Sequence, residues 1–242
     1  MEEIINLGQW SEEEMNSILR RVCGESDTGK KINWISRFFL HVTYRESTLK
    51  GSTVDPEMFV INLEAVDCFT FLDYVEALRL AKSFNEFRDR LKKIRYQEGI
   101  VQYEKRNHFF INWKEYHSDF VEDITPGIGK SECVDKLLND RGDGTLYVPG
   151  IACIRSTFSY IPSEFIDGIV IETLKTGDYI GIYSDKPGLD VSHVGIFIRD
   201  RDKTFIRHAS HTYMKVVDED FKEYIKNKPG IIVLRPNPEN IV

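Results

Sequence analysis

Residues 59–81 read FVINLEAVDCFTFLDYVEALRLA, and this stretch decides the fold. A short apolar run, Phe59 to Leu63, precedes Asp67, whose short acidic side chain suits the N-cap of a helix. Cys68 then falls in the first turn, and Phe71, Leu72, Val75, Leu78 and Ala81 recur at helical spacing to form an inward face. Working upstream, Ser11 with Glu14 fits a capping box ahead of Met15, Ile18, Leu19 and Val22. Ile32, Ile35, Phe38 and Phe39 mark a second helix, with Trp34 near the same side, and Tyr44 to Pro56 reads as loop. Downstream, Phe84, Phe87, Leu91 and Ile94 predict a further helix. Lys92, Lys93 and Arg95 stand near its end, where positive charge is favourable.

The middle of the chain has no clear period. Tyr103 to Phe120 carries His108, Phe109, Phe110, Trp113 and His117. Cys133, Leu137 and Leu138 are expected on a short helix, followed by the turn-rich RGDG of Arg141 to Gly144. From Gly177 onward five strands are predicted: Asp178–Tyr183, Ser192–Ile198, Thr204–His208, Tyr213–Val217 and Ile231–Leu234. Their short separations favour antiparallel neighbours over parallel crossover units. Helices first and an antiparallel sheet last define the α+β class. With no repeat and no flexible linker, residues 1–242 are expected to form a single domain.

Composition narrows the function classes. The 242 residues include 15 Phe, 11 Tyr and 3 Trp, enough core material to exclude a wholly disordered chain. The 32 basic and 39 acidic residues leave a charge of −7, ill suited to an extended phosphate backbone, so no nucleic-acid partner is expected. No run approaches about 18 consecutive apolar residues, so no transmembrane helix is expected. The N-terminus, MEEIINLGQWSEEEM, lacks the basic and long apolar parts of a signal peptide. The four cysteines, at 23, 68, 133 and 153, form no metal-binding C-x-x-C pair.

Chemistry concentrates at three residues. A cysteine in a first turn faces unsatisfied backbone N–H groups and the positive end of the helix dipole, both of which favour thiolate. Cys68 is therefore a candidate nucleophile, against the alternative of a buried structural cysteine. His193, on an expected strand that places Val191, His193, Gly195 and Phe197 on one face, is a candidate base with a pKa suited to neutral pH. His208 ends the next strand, where it can orient the His193 ring and set its tautomer. His211, three residues on, lies beyond the strand end. One cysteine and two histidines also allow zinc, with Asp67 or Asp190 as a further ligand. For both histidines a structural role stands beside the catalytic one.

At these residues the chain resembles the bacterial N-acetylmuramoyl-L-alanine amidase-like family, within the papain-like NlpC-type cell-wall cysteine hydrolases. The resemblance runs from about Ile32 to Pro236 and rests on several motifs in order. These are VINLEAVDCFTF around Cys68, IRYQEG at Ile94–Gly99, KRNHFFINW ending at Trp113, GLDVSHVGI around His193, and HAS from His208. It implies a papain-like fold with Cys68 as nucleophile, His193 as base and His208 as orienting residue. It also implies that Tyr44 assists the oxyanion or the substrate, and that residues 100–175 form a family-specific segment shaping the cleft. Trp113 and Asp190 become possible substrate contacts, Asp190 to a substrate amine, with a strand-entry turn as its alternative. The implied substrates are peptidoglycan or muropeptide fragments, cut without cofactor or metal, in the periplasm or outside the cell. The bond is that between N-acetylmuramic acid and L-alanine, or the γ-D-glutamyl bond of the stem peptide. A noncatalytic cell-wall-binding protein and a cysteine acyltransferase are the other readings.

Overall fold

A computed structural model describes residues 3–116 and 119–238, so that His117 lies outside the described residues. The chain divides into two compact units. The first holds the chain up to Asn107 and takes it back for Arg207–Asp218; the second holds His108–Ile206 and Glu219–Asn237.

The first unit opens with strand β1 (Glu3–Asn6) and helix α1 (Glu12–Val22). Both halves of the expected capping box form: the Ser11 hydroxyl accepts the Glu14 N–H, and the Glu14 carboxylate accepts the Ser11 N–H. Helix α2 (Thr28–Arg37) starts earlier than its apolar residues indicate, because Asp27 caps it by accepting the Lys30 N–H at 2.8 Å. Strands β2 (Thr43–Tyr44), β3 (Phe59–Asn62) and β4 (Ala65–Val66) follow, then α3 (Cys68–Arg79) and α4 (Phe84–Arg95). Tyr44 thus belongs to a short strand and not to the loop that follows it. Strand β3 pairs in parallel with β1, and β2 pairs in parallel with β4.

Helix α3 is buried along almost its whole length, packed against α2 and α4. Around it the rings of Phe39, Phe71, Tyr74 and Phe87 meet with centroids 5.5–6.3 Å apart. Arg95 departs from the expectation of a solvent-facing helix end. It is 1% exposed; its Nε donates to Asp73 at 2.8 Å and its Nη1 to the Val60 carbonyl at 2.6 Å. Burial pushes the Asp73 carboxyl up to about 6 even with Arg95 beside it. A charge withdrawn from water this far is retained only with a partner in place.

The second unit contains α5 (Ile111–Tyr116), β5 (Val121–Asp123), α6 (Thr125–Ile128), β6 (Glu132–Leu138), β7 (Ile154–Pro162), α7 (Gly168–Thr173), β8 (Tyr179–Tyr183) and β9 (Val191–Asp200). The chain then runs through β10 (Lys203–Ser210) and β11 (Lys215–Asp220) to α8 (Phe221–Ile225) and β12 (Gly230–Pro236). The second unit's strands lie in the order β9-β8-β12-β7-β6, with β5 on β12, and their pairings are antiparallel. All five late strands therefore form. The strand expected at Tyr213–Val217 begins later, because Met214 takes a left-handed φ of 54° in the preceding turn.

The short helix expected around Cys133 is a strand instead. Residues Glu132–Leu138 pair one for one with Ile154–Tyr160, and that ladder overrides a local pattern compatible with either state. Between the two strands, Asn139 organises the loop from inside. Fully buried at φ 79°, it donates from Nδ2 to the Val148 and Ile151 carbonyls and accepts the Val148 N–H. Arg141 to Gly144 is exposed, with Gly142 and Gly144 at positive φ, as a surface turn requires.

The ladder also separates two cysteines whose proximity the sequence left open. Cys133 lies opposite Ser159, whereas Cys153 adjoins Ile154, which lies opposite Leu138. Those positions are about 17 Å apart along the strand, well beyond the Cα separation a disulfide tolerates. Denatured without reductant, the protein should show all four cysteines as titratable thiols; a Cys133–Cys153 cross-linked peptide in a digest would contradict the register.

Candidate active site

Cys68 is the first residue of α3, half-buried, directly after the N-cap. The Asp67 carboxylate accepts the N–H groups of Phe69 at 3.0 Å and Thr70 at 2.7 Å, and the Thr70 hydroxyl at 2.9 Å. The Thr70 oxygen in turn accepts the Asp67 N–H, closing a capping box with threonine in the place usually taken by glutamate. Two of the first-turn N–H groups that the sequence offered to the thiol are therefore already engaged by Asp67. Burial raises the Asp67 carboxyl above the ordinary range, opposed by these hydrogen bonds and by the Arg95 charge.

Tyr44 reaches the same place from β2. Its N–H donates to the Met214 carbonyl at 2.9 Å, Arg45 N–H donates to the Val66 carbonyl at 3.0 Å, and Tyr44 registers with Val66, two residues before Cys68. The hydroxyl donates to Glu46 Oε1 at 3.3 Å. Its proton is held more tightly than in a free phenol, first through burial and then through the nearby Cys68, Glu46 and Asp67. The exposed His211 ring stands edge-on to Tyr44, with centroids 5.6 Å apart, and its Nε2 lies 3.9 Å from Glu46 Oε1. Tyr44, Asp67 and Cys68 thus gather in the first unit, with Glu46 and His211 at their exposed side.

His208, in the first unit on β10, is 2% exposed. Its neighbour Arg207 is buried too, at 3% exposed. Arg207 donates from Nε and Nη2 to the two Asp218 oxygens at 2.7 and 2.8 Å, and from Nη1 to Asn33 and Ser36 of α2. That buried fork ties the β10–β11 hairpin to α2. The sequence signal for it was an arginine inside an otherwise apolar strand, which has to find partners when buried.

His193 belongs to the second unit, half-buried on β9, with its ring 6.4 Å from that of Tyr224. The register of β9 corrects the simple alternation. Ile182 lies opposite His193, but Tyr183 lies opposite Val191, so Ser192 is an extra residue. This bulge puts Val191 on the Tyr183 face and His193 on the Ile182 face, where Gly195 and Phe197 follow. The Ile182 face carries the unit's core, in which Phe197 meets Phe221 edge-on at 5.0 Å.

Asp190 and Trp113 serve the opposite face. Asp190, 1% exposed, accepts the Ile111 N–H at 2.9 Å and the Val191 N–H at 2.7 Å, which is the geometry of a strand-entry turn. Trp113 is also 1% exposed, with its ring edge-on to Tyr179 at 5.3 Å. Among the described residues, no group of three or more His, Cys, Asp and Glu side chains is arranged to hold a metal ion, and no helix is long and apolar enough to cross a membrane.

Residues 34–231 match the N-acetylmuramoyl-L-alanine amidase-like family, and the chain belongs to that family. It is similar to the crystal structure of an N-acetylmuramoyl-L-alanine amidase from Bacteroides uniformis, at 28% identity and a TM-score of 0.76, over 87% of this chain and 99% of that one. A Legionella pneumophila protein aligns with a TM-score of 0.78 at 25% identity, over 94% of this chain and 96% of its own. A putative xylanase from Bacteroides fragilis aligns with a TM-score of 0.69 at 25% identity, over 83% and 98%. No curated protein matches the sequence.

The Asp190 carboxyl is pushed up to about 6, because burial outweighs the backbone hydrogen bonds that favour its charged form. An unfolded Asp titrates near 3.9, so the folded chain holds this proton more tightly. The stability this proton contributes is complete below about pH 4 and is lost as the pH rises through about 6. Urea unfolding from pH 4 to 7 should show wild type losing on the order of 2 kcal/mol relative to Asp190→Asn across that window. Parallel profiles for the two proteins would contradict the assignment.

Proposed function

We propose that the chain is a cysteine amidase that cleaves the bond between N-acetylmuramic acid and L-alanine in peptidoglycan or muropeptide fragments. The whole chain acts as one catalytic domain with the papain-like arrangement of the NlpC-type hydrolases. The observation that carries the reading is Cys68 as first residue of a capped, buried helix, beside a tyrosine whose proton is firmly held. Family membership supports the reaction class, and the Bacteroides uniformis amidase supports the choice of bond.

In this reaction His193 takes the Cys68 proton and the sulfur attacks the lactyl carbonyl. The C–N bond breaks as His193 returns that proton to the leaving L-alanine amine. Water, deprotonated by His193, then attacks the thioester; the acid is released and the thiol restored. His208 orients the His193 ring and sets its tautomer. Tyr44 donates to the oxygen on which negative charge develops. Asp190 and Trp113, both buried, are the further substrate contacts of this reading, Asp190 to the substrate amine. The substrate lies outside the cytoplasmic membrane, so the protein works in the periplasm or is secreted.

Incubation with defined muropeptides, with both products identified by mass spectrometry, tests the reading. A muramic acid fragment with a free lactyl carboxylate and a peptide with a free L-alanine amine are expected. A product cut after γ-D-glutamate would replace the bond assignment. Cys68→Ser should nearly abolish turnover, and His193→Ala should lower it by about 10²- to 10⁴-fold. His208→Ala should be less severe and His211→Ala milder still. Unchanged hydrolysis by Cys68→Ser would refute the nucleophile.

A further inference from the structure

Lys136, on β6, does something unusual for a strand lysine. Its Nζ donates to the carbonyls of Ser184, Lys186 (3.0 Å) and Leu189 (2.9 Å). An ammonium has three N–H donors, so all of them are spent on one seven-residue connection, 184–190, between β8 and β9. The same nitrogen lies 4.5 Å from the centre of the Tyr183 ring, on the last residue of β8. Burial lowers its pKa from the ordinary lysine range, opposed by the carboxylates of Asp190 and Asp185.

The connection is closed at its base, where Ser184 N–H donates to the Asp190 carbonyl at 3.0 Å. Its tip is held by Asn139 N–H on the Gly188 carbonyl at 2.8 Å. Gly188, at φ 66°, sits so close to Asp140 that a Cβ would fall 2.0 Å from the Asp140 carbonyl oxygen. Immediately beyond comes the Ser192 bulge, and then His193. A bulge is a local choice of register. Moving the extra residue by one position would turn His193 from the Ile182 face to the Tyr183 face. What fixes that choice is the length and shape of the connection entering β9, and Lys136 is the side chain that gathers its carbonyls.

We propose that Lys136 is a positioning residue for His193: by clamping the Ser184, Lys186 and Leu189 carbonyls it fixes the β9 register that sets the direction of the imidazole. The effect on turnover rests on the proposed amidase reaction; the effect on the His193 ring does not.

The test uses the full chain with ¹⁵N-labelled histidine, the His193 signals being identified by their loss in His193→Gln. In Lys136→Met, which keeps the side-chain length and removes the charge, the His193 ring resonances and titration midpoint should shift. On a muropeptide the variant should lose about 10- to 100-fold in kcat with KM within about twofold, because a misplaced base costs rate more than binding. Lys136→Arg, which restores cationic donors, should return the His193 signals toward wild type. If Lys136→Met does not fold, Lys136→Gln, whose shorter, uncharged amide has two donors for three carbonyls, should shift the same signals. A folded Lys136→Met or Lys136→Gln chain with unchanged His193 resonances and titration overturns the proposal. Wild type inactive on muropeptides but with displaced His193 signals in the variant would overturn the amidase reading alone.

Discussion

The Asp67 carboxylate is the contact on which the first unit is organised. It takes two N–H groups and one hydroxyl within three residues, so the backbone turns from β4 into α3 at one defined residue. That residue is Cys68. Losing a carboxylate cap costs an ordinary helix about 1 kcal/mol, but here the helix is buried on nearly every side and the consequence is positional. Strand β4 pairs with β2 immediately before the cap, so the same turn also brings Tyr44 within electrostatic reach of Cys68. Arg95 works on this arrangement from within the core. It binds Asp73, further along α3, and its charge acts on Asp67 as well.

The second unit solves a different problem, that of a strand carrying a polar ring into an apolar face. Strand β8 alternates Tyr179, Gly181 and Tyr183 on one side with Ile180 and Ile182 on the other. Gly181 is required because a Cβ there would meet Phe110 and Val191 at 2.7 Å. Phe110 and Val191 therefore close down over the tyrosine side, and Asp190 locks that closure through Ile111. The bulge at Ser192 then lets His193 cross to the isoleucine side without disturbing the pairing further along β9. Twist and redirection at a bulge are local, which is why Gly195 and Phe197 keep their register beyond it.

Much of this was legible in the sequence where the physics is local. The Ser11 capping box, the Asp67 cap and the apolar face of α3 involve neighbours within one or two turns, and each forms as read. The five late strands likewise followed from β-rich runs between turn residues. What escaped depends on distant partners. Strand β6 is defined by β7, about twenty residues on, and β1 by a parallel partner more than fifty residues away. Arg95 looked like a helix-end charge because its proper partners, Asp73 and the Val60 carbonyl, are invisible from its own neighbourhood. The single inserted residue at Ser192 is invisible for the same reason, since a bulge exists only relative to its opposite strand. At the candidate site the cysteine and histidines stood out by type and place, and the motifs carried the family. The Arg207 fork did not stand out, because its partners lie in another helix and strand.

The cap also constrains how the proposed chemistry is divided among groups. A helix start offers a thiol two kinds of help, the dipole and the free N–H groups of the first turn. Asp67 engages the Phe69 and Thr70 N–H groups. These two N–H groups are therefore not offered to a substrate oxygen near Cys68, and the proposed reaction adds a donor from outside α3. Tyr44 is the donor proposed for this: burial first, then the nearby Cys68, Glu46 and Asp67, keep it a neutral phenol with its proton firmly held. Glu46 holds that proton in the absence of substrate through a long 3.3 Å contact, on a side chain that is itself exposed. In the proposed reaction that contact gives way to the oxyanion, which is the better acceptor once charge has formed. The carboxylate that fixes the position of Cys68 thus engages two of the donors its own helix start would offer, and in the proposed reaction the tyrosine on β2 supplies another.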